Sequence, residues 1–128
     1  MGRTGASQVA AEHHLVYLLL MRGYEASLPE KTGGDIFASS ADGRRLALLR
    51  VYVLDDSGSV RRDDSLPVAR NRACVVVEMA GMDHDPNYFV LPSAVFTQVS
   101  AWNRSLLGPY RDAWRLLGLE GPSLRIAS

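Results

Sequence analysis

The sequence predicts an α/β domain, a β-sheet with helices on its faces, from three observations. An Asp-Gly pair sits between two β-prone runs over 35–54, a hairpin signature. A continuous apolar run over 73–79 suits a buried central strand. Apolar stripes at helical spacing precede and follow these strands. The resulting order is helix, three strands, long loop, two strands and two helices. With 128 residues the chain is one domain large enough to bury a normal core.

Residues 1–6 are small and polar and are predicted to be disordered or frayed. Ser7 is a candidate N-cap for a helix over 7–22, stopped by Gly23 at the position after the C-cap. Ala11, Leu15, Leu18 and Leu19 form its stripe, widened by Val16 and Leu20, so the helix should be buried against a sheet. Glu12 in its first half is either a partner of the helix dipole or part of a site. A short strand over 24–28 leads to a loop over 29–34. The glycines Gly33 and Gly34 either present the Asp35 carboxylate or simply turn the chain.

The hairpin organises the rest. A short strand over 35–39, a turn at 41–43 and a long strand over 44–54 make it up. In the long strand Ala47, Leu49, Val51 and Val53 share one face, which is wholly apolar and should pack on a helix. Leu46, Leu48, Arg50 and Tyr52 share the other. A slip of one residue would bury Arg50, so the register is well determined. Asp35 opens the partner strand near Arg50 and Tyr52, which is where chemistry should sit.

Residues 55–72 are polar and read as a surface loop. After the strand over 73–79, residues 82–87 carry turn chemistry and 88–91 form a short strand. Ser93 should cap a helix over 94–102, with Val95, Val99 and Trp102 on one face. Pro109 suits the start of a last helix over 110–117, ended by Gly118, and residues 120–128 form a tail. The single domain thus spans 7–119.

Fourteen basic and fourteen acidic residues cancel, so no global field draws in nucleic acid. Locally, Arg44, Arg45, Arg50, Arg61, Arg62, Arg70 and Arg72 outnumber the acidic residues interspersed with them, a modest surplus. Every basic residue but Lys31 is arginine, the better fork for phosphate. No apolar run is long enough to cross a bilayer, and no signal pattern opens the chain, so a cytoplasmic protein is expected. Cys74 in its apolar run reads as a buried structural thiol. His13 and His14 point about 100° apart on a helix and cannot chelate one ion together. Asp83, His84 and Asp85 form a turn-like triplet without a second ligand pair. No catalytic-triad order, phosphate loop or dinucleotide fingerprint is present.

Ala11-Glu12, the apolar helix and Arg22-Gly23-Tyr24 together resemble the opening of small prokaryotic proteins of the PD-(D/E)XK nuclease superfamily. Gly34-Asp35-Ile36, the Asp-Gly turn and the long strand are similar to that family's active-site hairpin. Asn87-Tyr88-Phe89-Val90-Leu91-Pro92-Ser93-Ala94-Val95 resembles the strand-to-helix segment that follows it. The resemblance covers about residues 7–119. It implies a restriction-endonuclease-like fold, a central mixed β-sheet flanked by helices, with an αβββ core followed by strands and C-terminal helices.

The family's chemistry uses an Asp on the first strand of the hairpin and a Glu, Asp or Gln on the second. A Lys follows two positions later, and a helix Glu often assists. The acids hold a divalent metal that activates water, and the Lys orients it. By resemblance Glu12 and Asp35 match the helix Glu and the first acid, while Arg50 falls on the second acid and Tyr52 on the Lys. A guanidinium about 4 Å from a divalent ion is repelled by several kcal/mol at an effective dielectric of about 20. Arg50 paired with Asp35 would fill the metal's place with a fixed cation.

The resemblance with these departures implies a catalytically inactive pseudo-nuclease without a cofactor. It would bind DNA through Arg44, Arg45, Arg50, Arg61 and Arg62, or act as an accessory protein. A second reading is an active Mg²⁺-dependent endonuclease with migrated residues, Lys31 reaching in from the loop and Glu78 supplying an acid. A third is a protein-binding inhibitor or subunit of a nuclease or defence complex, using Trp102, Tyr110 and Trp114.

Overall fold

The computed structural model describes residues 2–61, 66–79 and 85–119, with side chains from residue 7 onward and none at Arg61. The chain opens with helix α1 (Gly2–Met21). Ser7 therefore lies inside the helix rather than at its cap. The C-terminus closes as expected. Gly23 takes φ +91°, and the Tyr24 and Gly23 N–H groups donate to the Leu19 and Leu20 carbonyls at 3.0 Å each. That is the Schellman pattern, which needs a left-handed residue where glycine stands.

Strands β1 (Glu25–Ser27), β2 (Asp35–Ser39) and β3 (Leu46–Val53) follow as an antiparallel meander. The β2–β3 turn is built as the Asp-Gly signature predicts. Gly43 adopts φ +74°, and Asp42 accepts from the Ser40 hydroxyl at 2.6 Å and from Arg44 N–H at 3.0 Å. The Ser40 hydrogen bond, more than any other contact, holds the Asp42 carboxyl below its usual range.

Strand β5 (Arg72–Glu78) lies parallel to β3, and β6 (Asn87–Pro92) runs antiparallel to β5. The mixed five-stranded sheet has the order β1-β2-β3-β5-β6. The α/β class thus stands. Among the described residues no helix is long and apolar enough to cross a membrane.

Two cores sandwich the sheet. Ile36, Ala38, Ala47, Leu49, Val51, Val75 and Val77 meet Ala11, Leu15 and Leu19 of α1 on one face. The wholly apolar face of β3 therefore packs on the helix, as the alternation requires. On the other face Cys74, Val76, Phe89 and Leu91 meet Phe96, Trp102 and Leu107. Each fully buried aliphatic side chain contributes about 1.5–3 kcal/mol by leaving water. The second core covers only part of that face. Phe37 and Leu46, toward the β1–β2 edge, stay 49% and 46% exposed.

Several elements differ from the expectation. The segment expected to be a loop over 55–72 contains β4 (Ser59–Arg61), paired with β7 (Ala101–Asn103) in a small second sheet. Asp55 shapes its approach by accepting from the Ser57 and Ser59 N–H groups at 2.9 and 3.0 Å. The helix expected over 94–102 is the single turn α2 (Ser93–Phe96). Thr97 donates its hydroxyl back to the Ser93 carbonyl at 3.0 Å, a bond that disfavours continuation. Trp102 Nε1 donates to the Phe96 carbonyl at 2.9 Å and draws the chain into β7. Ser93 does not cap α2 but ties its hydroxyl to both backbone groups of Ala69 at 3.2 Å.

The last helix is also replaced. After α3 (Arg104–Leu107) come two 3-10 turns, Gly108–Tyr110 and Trp114–Leu117. Between them Arg111 bridges to Phe89, and Asp112 N–H donates to the Tyr88 carbonyl at 2.9 Å with φ +52°. Docking on the edge of β6 thus interrupts the helix. Trp102 and Trp114, read as aromatics available to a partner, are 5% and 6% exposed and belong to the two cores.

Cys74 is buried opposite Arg50, and burial pushes its thiol up to about 12. At pH 8 it stays protonated, so a thiol reagent should label the folded chain at least about 100-fold more slowly than the chain in guanidinium. Equal rates would place the thiol at the surface.

Candidate functional site

The hairpin register pairs Asp35 with Arg50. Directly opposed residues of an antiparallel pair point to the same side, so carboxylate and guanidinium meet. Arg50 Nη2 stands 3.2 Å and Nε 3.3 Å from Asp35 Oδ1. The parallel strand supplies a third member. Arg72 opens β5 beside Leu48 and sends Nη1 to 2.9 Å from Asp35 Oδ2. Each carboxylate oxygen therefore has its own guanidinium. The side chains of Asp35, Arg50 and Arg72 are 26%, 15% and 19% exposed, so the cluster is only partly screened by water.

Tyr52 lies two residues beyond Arg50 on the same face. Its ring packs on Phe96 with centroids 4.8 Å apart, at the edge of the second core. A phenol has no cationic form and brings no positive charge to Asp35.

Glu12 is 3% exposed and works from the α1 side. Its Oε2 accepts from Gly33 N–H at 2.8 Å and from Gln8 Nε2 at 2.9 Å. Gln8, one helical turn earlier, also donates to the Val51 carbonyl at 2.9 Å. Gly33 has φ +89°, a conformation that suits glycine alone. Glu12 thus fastens the loop that delivers Asp35, while Asp35 itself turns to the other face of the sheet.

Of the other residues read as site members, Glu78, Arg44 and Arg45 stand apart from Asp35. Lys31 is exposed on the loop, with its carbonyl accepting from Gly34 N–H at 2.9 Å. Glu78 ends β5 four residues past Cys74, about 13 Å along the strand from the position opposite Arg50. There it pairs with Arg104 and accepts from Asn87 Nδ2 at 3.2 Å. Arg44 and Arg45 are exposed at the far end of the hairpin, six and five residues before Arg50, about 17–20 Å of extended chain. Arg61 is in β4 with its side chain outside the description, and Arg62, Asp83 and His84 lie outside the described residues.

Two participants escaped the sequence reading. Arg72 joins only through the parallel β3–β5 register, a non-local pairing. Gln8 carries an i, i+4 spacing to Glu12 that was available as a signal but reads as ordinary helix surface.

The donor set around Asp35 does not fit a divalent cation. An ion there would displace two guanidinium groups from the carboxylate oxygens, and Glu12 spends its Oε2 on backbone and amide donors on the other face. Among the described residues no three His, Cys, Asp or Glu side chains gather as a metal site. The arrangement suits an anion better, because among the described residues it gathers two guanidiniums around one carboxylate in a half-buried setting. No family model matches the chain, and no curated protein or solved structure does.

Proposed function

We propose that this chain is a restriction-endonuclease-like domain whose metal site has become an ion-pair cluster, and that it binds nucleic acid without cleaving it. The observation that carries this reading is the closure of both Asp35 oxygens by Arg50 and Arg72. The element order supports it as well, with a helix, a three-stranded meander, and a strand running parallel to the hairpin's second strand. In such a domain Asp35 acts as a holder of arginines, and the guanidiniums of Arg50 and Arg72 meet a phosphate. No cofactor takes part.

The test is the salt dependence of binding to a labelled oligonucleotide. Arg50→Ala and Arg72→Ala should each weaken binding by about tenfold at moderate salt and lower the salt slope by about one. An affinity unchanged in the folded double variant would move binding away from this cluster. A second reading, an accessory subunit held by a protein partner, draws on the uncovered sheet face with Phe37 and Leu46 exposed.

A further inference from the structure

Between α1 and the segment following β6 lies a cleft of about 870 Å³ that shares no residue with the Asp35 cluster. Pockets of about 300–1,000 Å³ receive whole small molecules, so this one is larger than a single side chain requires. Its walls are aromatic. Tyr88 and Trp114 meet with ring centroids 5.4 Å apart, and Tyr17 of α1, 65% exposed, stands at the rim.

The polar groups in the cleft are mostly acceptors. Asp85 and Asp112 both line it, and after burial itself their carboxylates are what hold the Tyr88 hydroxyl above its usual range. His13 Nδ1 lies 2.9 Å from the Val9 carbonyl. A carbonyl only accepts, so Nδ1 carries the hydrogen of that bond. Among the described residues of the lining, Arg22 has its guanidinium carbon 5.2 Å from the Trp114 ring centroid. The ring faces here already suit a cation. Among the described residues of the lining, two carboxylates stand against one guanidinium.

We propose that this cleft binds a small organic cation with a flat apolar body and N–H donors, of the arylamidinium or arylguanidinium kind. Its body lies against the aromatic walls and its donors face Asp85 and Asp112. An anion would meet two carboxylates, and a neutral aryl alcohol would forgo both the charge and the cation–π attraction.

Benzamidinium, benzoate and benzyl alcohol serve as probes for the full chain, followed by amide NMR shifts around Tyr88 and Trp114. Benzamidinium should saturate those shifts, with benzoate and benzyl alcohol at least about tenfold weaker. The double variant Asp85→Asn, Asp112→Asn should weaken benzamidinium by about tenfold. Asn tolerates the left-handed backbone of residue 112, so the fold is retained. The same variant should leave Arg50-dependent oligonucleotide binding unchanged, which separates this site from the cluster at Asp35. Benzoate or benzyl alcohol binding as tightly, absence of saturation, or an unaffected double variant would each overturn the assignment.

Discussion

Glu12→Ala is expected to lower the unfolding free energy by about 3 kcal/mol. The side chain is 3% exposed, so its removal leaves a void beneath the loop. It also strips the acceptor from Gly33 N–H. Gln8 keeps its bond to the Val51 carbonyl and suffers less. Glu12→Gln retains the volume and an acceptor oxygen, and should cost only about 1 kcal/mol. Urea unfolding of the three proteins separates the terms. If alanine costs no more than glutamine, Glu12 does not hold the loop.

Asp35→Ala should cost less stability, about 2 kcal/mol, yet change function more. Removing the carboxylate takes from Arg50 and Arg72, on neighbouring strands, the Asp35 oxygens that each contacts. Breaking a fully buried pair costs about 3–5 kcal/mol, and partial exposure of all three side chains reduces that figure. Adding Arg72→Ala to Asp35→Ala should recover part of the loss, giving a coupling of about 1 kcal/mol in a double-mutant cycle. Nucleic-acid affinity should rise by about tenfold in Asp35→Ala, because the phosphate no longer competes with a carboxylate for the two guanidiniums. A metal-dependent site would behave in the opposite way and lose its function with Asp35.

Much of the hairpin was legible from local chemistry. The Asp-Gly turn and the two-residue period of β3 place Asp35 opposite Arg50, because slippage by one residue would exchange an apolar face for a charged one. The stripe of Ala11, Leu15 and Leu19 likewise identified the buried side of α1. What stayed hidden depends on contacts between distant segments. Arg72 belongs to the cluster only because β5 runs parallel to β3, and its neighbours in sequence say nothing of Asp35. Strands β4 and β7 have three residues each, too few to show a period, and exist through pairing with one another. The two helices expected near the C-terminus were broken by tertiary bonds, Trp102 to the Phe96 carbonyl and Asp112 to the Tyr88 carbonyl. Helical spacing of apolar residues survives such interruptions in the sequence and so misleads.

Under the proposed reading the departure was legible at the level of residue type, as Arg50 and Tyr52 where an acid and a lysine would stand. The physical consequence needed geometry. One arginine beside Asp35 could have swung away to admit an ion, whereas two of them, each on its own oxygen, make the carboxylate part of a cationic cluster. Glu12 is spent on the backbone of Gly33.

The most direct test is incubation of the wild-type chain with labelled single- and double-stranded DNA and Mg²⁺ or Mn²⁺, with each sample split between a native and a denaturing gel. A salt-sensitive shift on the native gel with intact strands on the denaturing gel is the predicted result. Strand cleavage that disappears in Asp35→Ala would contradict the account and restore Asp35 as a metal ligand.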